Sequence, residues 1–235
     1  MPSSSRLQVE LRPWNRASAL EPSAEFQMPA RDPGSFGYRS AKRLLDIVLA
    51  LLGLTLLFPL LPAIIALIKL DSPGSILFRQ KRVGQAGRLF TCYKFRSMVP
   101  DAESRKAGLA TLNEATGPAF KIRDDPRITA IGHFLRRSSL DEVPQLFNVL
   151  LGQMSMVGPR PQIPAEVELY EPWHRGRLAV KPGITCLWQI SGRSQVGFEE
   201  WMRLDLEYVR RRSLALDLKI LLGTLPAVIA RKGAY

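Results

Sequence analysis

Cysteine and histidine are nearly missing from this chain of 235 residues, which has two of each. Cys92 and Cys186 fall in no CxxC or Cys/His spacing. That excludes a disulfide framework and a structural zinc site, and it fits a reducing cytoplasmic setting. His133 and His174 have no Ser or Cys pattern around them that would make a triad, and both read as surface or loop residues. Also missing are GxxxxGK followed by Ser or Thr, GxGxxG, HExxH and GxSxG, so P-loop, Rossmann, zincin and hydrolase-elbow chemistries lack support. Residues 1–40 contain no apolar run and hence no secretory signal. Their mixture of Ser, Pro, Arg and Glu reads as a disordered or loosely ordered leader. Acids are the scarce charge, 21 against 33 Lys and Arg, for a formal net charge of +12 and a pI near 10.2. The leader holds five arginines and four acids, so the basicity belongs to residues 41–235. An anionic partner is implied, whether nucleic acid, acidic membrane surface or phosphorylated substrate.

One strong apolar run is present. Leu44–Ile68 has Asp46 as its only charge and is flanked by Lys42, Arg43 and Lys69. As a straight helix its 25 residues would measure roughly 37 Å, enough to cross a hydrocarbon core of about 30 Å. Pro59 and Pro62 interrupt it, and a break near Pro59 leaves arms of roughly 22 and 13 Å, neither of which spans alone. Basic residues lie before the run and after it (Lys69, Arg79, Lys81, Arg82), which places both ends in the cytoplasm by the positive-inside rule. A helix that enters, turns at the prolines and returns satisfies both observations. A kinked spanning helix with its leader outside is the alternative.

Beyond the run, Ile76–Phe78 and Leu89–Tyr93 flank VGQAGR as a hairpin, and Pro100–Thr116 reads as a polar helix and loop. KIRDDPRIT is a turn with Asp125 before Pro126. RRSSLDEVPQLFNVLLGQM reads as a single helix, MVGPRPQIP is irregular, and a short helix runs from Pro164 to about Tyr170. KPGITCLWQISGR reads as two β-like stretches around a glycine turn. Glu199–Arg212 is amphipathic, with Met202, Leu206 and Val209 opposite Arg203, Arg210 and Arg211. Leu214–Ile229 is apolar but carries Asp217, Lys219 and Pro226, so it reads as lying on the membrane or the core.

Asp141 and Glu142 follow Arg136 and Arg137 at a helix start, since Pro144 is tolerated only in a first turn. A helix N-terminus and nearby guanidinium groups keep a carboxylate ionised, ready to attack phosphorus or bind a divalent cation. The same residues also fit a capping box, Ser139-x-x-Glu142, with Asp141 complementing the helix dipole. Arg160, between the prolines of GPRP, is presented in few directions and suits bidentate phosphate binding; it equally fits a surface arginine in a stiff loop. Lys94, Arg96 and Arg193 sit on short β-like pieces beside turns, positions that suit either anionic ligands or ordinary surface charge.

Taken together and in order, KRLLDIVLALLG, FRQKRVGQAGRLFTCYKFRSM, SLDEVPQ, VGPRP, KPGITCLWQISGR, LDLEYV and the closing GAY resemble the bacterial sugar transferases, or monotopic phosphoglycosyl transferases, across residues 41–235. The resemblance implies an α+β fold: a mostly helical membrane-associated domain with a small β-hairpin, an N-terminal re-entrant helix bent at Pro59, and amphipathic interfacial helices. It implies a leader over 1–40, the re-entrant helix over 41–70 and a catalytic domain over 71–235 at the cytoplasmic face of the bacterial inner membrane. The implied reaction moves a sugar-1-phosphate from a UDP-sugar to polyprenyl phosphate, with Asp141 as covalent nucleophile and Glu142 beside it near Mg²⁺. Arg136, Arg160 and Arg193 are then phosphate or nucleotide contacts, with Lys94 and Arg96 as further anion-binding residues. Membrane lipid is an implied partner, nucleic acid is not, and homo-oligomerisation stays open. The sequence departs from the family pattern at Cys186, where glycine is usual, at Phe147, where Trp is common, and at Gln153, where an acid is common. Larger members carry extra spanning helices upstream, and this chain looks like the compact catalytic form. A rival of another class is a non-enzymatic, membrane-anchored basic module that binds acidic lipid or nucleic acid. A soluble glycosyltransferase that releases nucleoside diphosphate is a third reading.

Overall fold

The computed structural model describes residues 35–191 and 196–229. Helix α1, Phe36–Leu57, begins where the Ser35 hydroxyl accepts the Tyr38 amide. It gives way to a 3-10 turn, Phe58–Leu60, that contains Pro59, and then to α2, Leu61–Asp71. The apolar run is therefore helical throughout, with its α-helical pattern interrupted at the proline that removes a donor. Both arms press a narrow face on the rest of the chain. Asp46 and Ala50 are the buried residues of α1, and Ile64 and Ile68 those of α2, while Val48, Leu51, Leu56, Phe58, Leu60 and Leu67 stay exposed.

Strands β1, Leu77–Val83, and β2, Leu89–Phe95, pair antiparallel from Leu77↔Phe95 to Val83↔Leu89, so the hairpin is longer than its sequence pattern predicts. Its connection needs left-handed backbone at Ala86 and Gly87, with φ of 54° and 73°. This hairpin is the hub of the core. Phe90 and Cys92 meet Ala50, Leu146 and Met154; Val83 joins Val167, Tyr170 and Met202; Phe95 joins Ile64, Ile68 and Leu135.

After the short α3, Ala102–Arg105, and a 3-10 segment, Ala107–Leu112, the Asp125 carboxylate accepts the Arg127 amide and closes the predicted turn. The single helix expected over RRSSLDEVPQLFNVLLGQM is three pieces: α4, Ala130–Arg137, a 3-10 turn, Leu140–Glu142, and α5, Gln145–Leu150. The break occurs at Ser139, whose φ of 59° is left-handed and ends α4. A second sheet forms where β3, Ser155–Val157, whose last two residues open the MVGPRPQIP stretch expected to be irregular, runs parallel to β4, Gly183–Thr185, the first β-like stretch expected in KPGITCLWQISGR. Between them lie α6, Pro164–Glu168, and a 3-10 segment, Pro172–Ala179. The second β-like stretch expected after KPGIT is instead a helical turn, α7, Leu187–Ile190. Helix α8, Phe198–Arg211, buries Met202, Leu206 and Val209 as its 3.6-residue period predicts. Helix α9, Leu214–Ile229, carries Pro226 within it.

Buried polar residues tie the apolar helices to this body. Asp46 accepts the Ser155 hydroxyl at 2.9 Å and the Met156 amide at 2.8 Å, which explains the one charge in the run. Asp217, fully buried on α9, accepts Tyr38 Oη and Lys42 Nζ from α1 and Tyr208 Oη from α8, at 3.0, 3.0 and 2.8 Å. Arg43 donates to the carbonyls of Val149 and Leu150 at the end of α5. At the other end of the run, the Asp71 carboxylate accepts the Ile131 amide at 3.0 Å. His174 is buried beside Tyr170, Trp173 and Phe198, with Nδ1 accepting the Glu171 amide, so it is a core residue rather than the expected surface one. His133 is exposed as expected.

Candidate active site

The left-handed Ser139 and the 3-10 turn that follows it aim two adjacent carboxylates at the exit of β2. Left-handed backbone at a non-glycine residue costs roughly 1–2 kcal/mol. Tertiary contacts therefore hold this turn. Asp141 is 7% exposed, and Glu142 keeps 15% of its side-chain surface. The two are differently occupied. Glu142 Oε1 accepts Lys94 Nζ at 2.7 Å and Arg160 Nη2 at 2.6 Å, and Arg160 Nη1 lies 3.5 Å from Oε2. Among the described residues nothing donates a hydrogen bond to the Asp141 carboxylate, and its one ion-pair contact is Lys94 Nζ at 3.8 Å. The capping-box alternative fails: the Ser139 hydroxyl caps no amide, and the Glu142 side chain turns toward Lys94 and Arg160.

Burial acts on both carboxyls, and their partners separate them. Glu142 would rise through burial, but Arg160 and Lys94 overcome this and hold it well below the usual carboxylate range. Asp141 has no such partner. Burial lifts it above its ordinary value, Glu142 adds to the rise, and Lys94, Arg136 and Arg160 oppose it. The expectation of an Asp141 kept readily ionised by a helix N-terminus is thus corrected, because no α-helix begins there and desolvation dominates.

Arg136, one turn beyond Gly132 on α4, donates from Nε to Ser97 Oγ at 2.9 Å and interacts electrostatically with Asp141. Gly132 makes this approach feasible: a Cβ there would lie 2.0 Å from the Ser97 carbonyl oxygen. Arg160 sits in a loop whose prolines offer no amide, and its carbonyls do the holding. Pro159 O accepts Gly183 N, Arg160 O accepts Arg177 Nη2, Pro161 O accepts Arg82 Nη1 and Gln162 O accepts Val83 N, at 2.7 to 3.0 Å. The glycines of VGPRP and KPGIT face each other so closely that a Cβ on Gly183 would lie 2.1 Å from Gly158 N. Cys186, at the position where glycine is usual, has extended backbone and accommodates its side chain, with Sγ donating to Gln189 Oε1.

Lys94, Arg136 and Arg160 therefore gather around the two carboxylates. Arg96 does not. Its Nη2 donates to Ile68 O, Ser72 O and Ser72 Oγ, so it fastens the end of α2 apart from the carboxylate pair, while its Nε and Nη1 have no hydrogen-bond partner among the described residues. Arg193 lies outside the described residues. Sequence reasoning missed Arg82, half-buried on β1 and electrostatically coupled to Arg160 and Glu142, and it missed Arg177 and Asp205. Asp205 left a trace in the sequence, since it falls three residues after Met202 on the apolar stripe of α8. Burial pushes it up to about 6 against the pull of Arg177.

Arg160→Lys keeps the charge and loses the planar fork. It is expected to lower turnover far more than Arg→Lys at an exposed position such as Arg203; near-normal kinetics would mean that Arg160 serves only its loop.

A buried carboxylate left without hydrogen bonds among the described residues, a second one bound by two cations, and an apolar helix pair anchored beside them are the parts of a group-transfer site. The model of the bacterial sugar transferase family matches residues 37–231, so the chain belongs to that family. It is 46% identical over 200 residues to the galactosyl transferase CpsE of Streptococcus agalactiae, covering 85% of this chain and 44% of that protein. It is 40% identical over 199 residues to the exopolysaccharide production protein ExoY of Sinorhizobium fredii, covering 83% and 88%. It is 43% identical over 205 residues to the UDP-glucose:undecaprenyl-phosphate glucose-1-phosphate transferase of Escherichia coli, covering 84% and 42%. The chain thus spans less than half the length of the first and third of these relatives and most of the second.

Proposed function

We propose that this chain transfers a sugar-1-phosphate from a UDP-sugar to undecaprenyl phosphate through a covalent intermediate on Asp141, releasing UMP and starting a surface or exopolysaccharide glycan. The contrast within the carboxylate pair carries the reading: Glu142 accepts from two cations through Oε1, and Asp141 is buried with no hydrogen bond to its carboxylate among the described residues. The names of the relatives support the substrates.

In the first step an Asp141 Oδ attacks the β-phosphorus, the bond from that phosphorus to the bridging oxygen breaks, and UMP leaves with the bridging oxygen. Arg160, Lys94 and Arg136 offset charge on the phosphoryl oxygens. In the second step an oxygen of the lipid phosphate attacks the same phosphorus and the Asp141 carboxylate departs, giving the lipid-diphosphate-sugar. Among the described residues no group of three or more His, Cys, Asp or Glu could hold a resident metal. Two carboxylates plus substrate oxygens nevertheless suit Mg²⁺, which favours such mixed sets. Asp141 and Glu142, the latter through its weakly engaged Oε2, would hold the ion, whose chemistry there is neutralisation of diphosphate charge.

Membrane placement at the cytoplasmic face is part of the same proposal. The segment Phe36–Asp71 is long and apolar enough to cross a membrane. Both of its ends bond to one body, through Lys42, Arg43 and Asp46 at one end and Asp71 and Ser72 at the other. That arrangement supports a re-entrant path turning near Pro59, with the exposed apolar middle immersed. Single cysteines at Ser40 and Ser75 are expected to react with an impermeant maleimide only from the cytoplasmic side, and the two native cysteines are buried. Labelling of Ser40→Cys from outside would sink the re-entrant path.

The reaction is tested by incubating the full chain with undecaprenyl phosphate and a panel of UDP-sugars. UMP is the expected product; UDP would point to ordinary glycosyl transfer instead.

A further inference from the structure

Arg177 and Asp205 form the most deeply buried ion pair among the described residues, at 2% and 1% side-chain exposure, yet neither touches the carboxylate pair. Arg177 comes from the 3-10 segment Pro172–Ala179, and Asp205 from the buried face of α8. Nε and Nη2 of Arg177 both donate to Asp205 Oδ2, at 2.9 and 2.6 Å, and Nη1 donates to Tyr170 Oη at 2.8 Å. The rings of Tyr170 and Trp201 lie 5.9 and 5.6 Å from the guanidinium carbon. Removing two charges from water costs several kcal/mol per ion, and well-packed apolar residues of similar size commonly serve stability as well or better. What an apolar pair could not do is donate to a carbonyl. Arg177 Nη2 donates to Arg160 O at 2.7 Å, between two prolines that offer the loop no amide. The orientation of that peptide sets the direction in which the Arg160 side chain leaves the backbone, and its guanidinium meets Glu142 at 2.6 Å.

We infer that Arg177, held in place by Asp205, is a positioning residue for Arg160, fixing the Arg160 peptide so that its guanidinium spans Glu142 and the phosphoryl oxygens of the sugar nucleotide. The inference rests on the reading of Arg160 as a phosphoryl contact given above. It distinguishes Arg177 from a packing residue, because its effect must pass through one side chain.

A double-mutant cycle tests this with the full chain in lipid nanodiscs, following UMP release for wild type, Arg177→Lys, Arg160→Ala and the double variant. Misplacing a catalytic group slightly can cost up to about 100-fold, so Arg177→Lys is expected to lower kcat/KM about 30-fold in the wild-type background. In the Arg160→Ala background it should lower it less than about 3-fold, because the aim of an absent guanidinium no longer matters. Equal losses in both backgrounds would overturn the inference. Asp205→Asn, which keeps an acceptor oxygen and removes its charge, provides a second cycle of the same form and decides the matter if Arg177→Lys does not fold. A wild-type chain that releases no UMP from any UDP-sugar removes the underlying reading and the inference with it, whereas an active wild type with additive cycles overturns the inference alone.

Discussion

Asp141→Asn is expected to abolish turnover by at least about three orders of magnitude while making the protein more stable. The amide keeps the shape of the side chain but cannot form an acyl phosphate. Wild type given sugar-labelled UDP-sugar without lipid should retain label, lose it on addition of undecaprenyl phosphate, and show none on the Asn variant. The stability gain follows from proton linkage. Burial raises the Asp141 carboxyl in the folded state, so as pH rises the unfolded chain loses this proton first. Between the two values the unfolded state binds fewer protons, and stability falls with rising pH. The Asn variant lacks that slope. Its advantage should be small in acid and grow as pH climbs past the ordinary carboxylate value, reaching on the order of 1 kcal/mol at neutral pH. For the same reason wild-type kcat/KM should decline as pH falls through the raised value. A variant that turns over normally, or label on another side chain, would falsify the covalent step.

Glu142→Gln should move stability in the opposite direction. The substitution leaves Lys94 and Arg160 side by side without their anion. Breaking a fully buried pair costs about 3–5 kcal/mol, and here about 2 is expected because Lys94 and Arg160 keep 20% and 30% of their side chains exposed. The Glu142 carboxyl is held well below its ordinary value, so the stabilisation it brings is present above the unfolded value and disappears only as pH drops through the folded one. The gap between wild type and Gln variant should therefore close in acid. Arg160 loses the group that aims it, so turnover should fall by about 10²–10³-fold. Neighbouring carboxylates would then give Tm shifts of opposite sign in their amide variants, both with lost activity, and shifts of the same sign would contradict the division of labour proposed for them.

Much of this arrangement could be read from residue order. The stripe of Met202, Leu206 and Val209 has a period set by helix geometry alone, and the hairpin around VGQAGR is marked by its glycines. The break at Ser139 was not legible, because the sign of its φ depends on the tertiary contacts that hold the turn, and serine has no preference that reveals it. WQIS suits a strand by its residue types, but among the described residues no strand lies beside it and a helical turn forms instead. Asp141 and Glu142 could be picked out as a pair, but their unequal environments could not: Lys94 arrives from 48 residues away and Arg160 from 18. Arg96 and Lys94 stand two apart on one stretch and look equivalent, yet one serves the carboxylates and the other the end of α2. Alternation along β2 cannot say which element waits beyond the strand.

The hydrogen bonds of Asp46, Asp217 and Arg96 have a bearing on how this protein can be handled. Each set includes bonds that cross between the apolar helices and the body, and those bonds would be lost if residues 35–71 were removed. A shortened chain beginning after α2 would expose the Ser155–Met156 edge, leave Asp217 with Tyr208 as its remaining partner of the three, and leave Arg96 without Ile68 O, its link into α2 itself. Such a chain should aggregate rather than become a soluble transferase. The apolar segment is in this respect a structural wedge: the body borrows hydrogen-bond partners from it, so the two have to consolidate together.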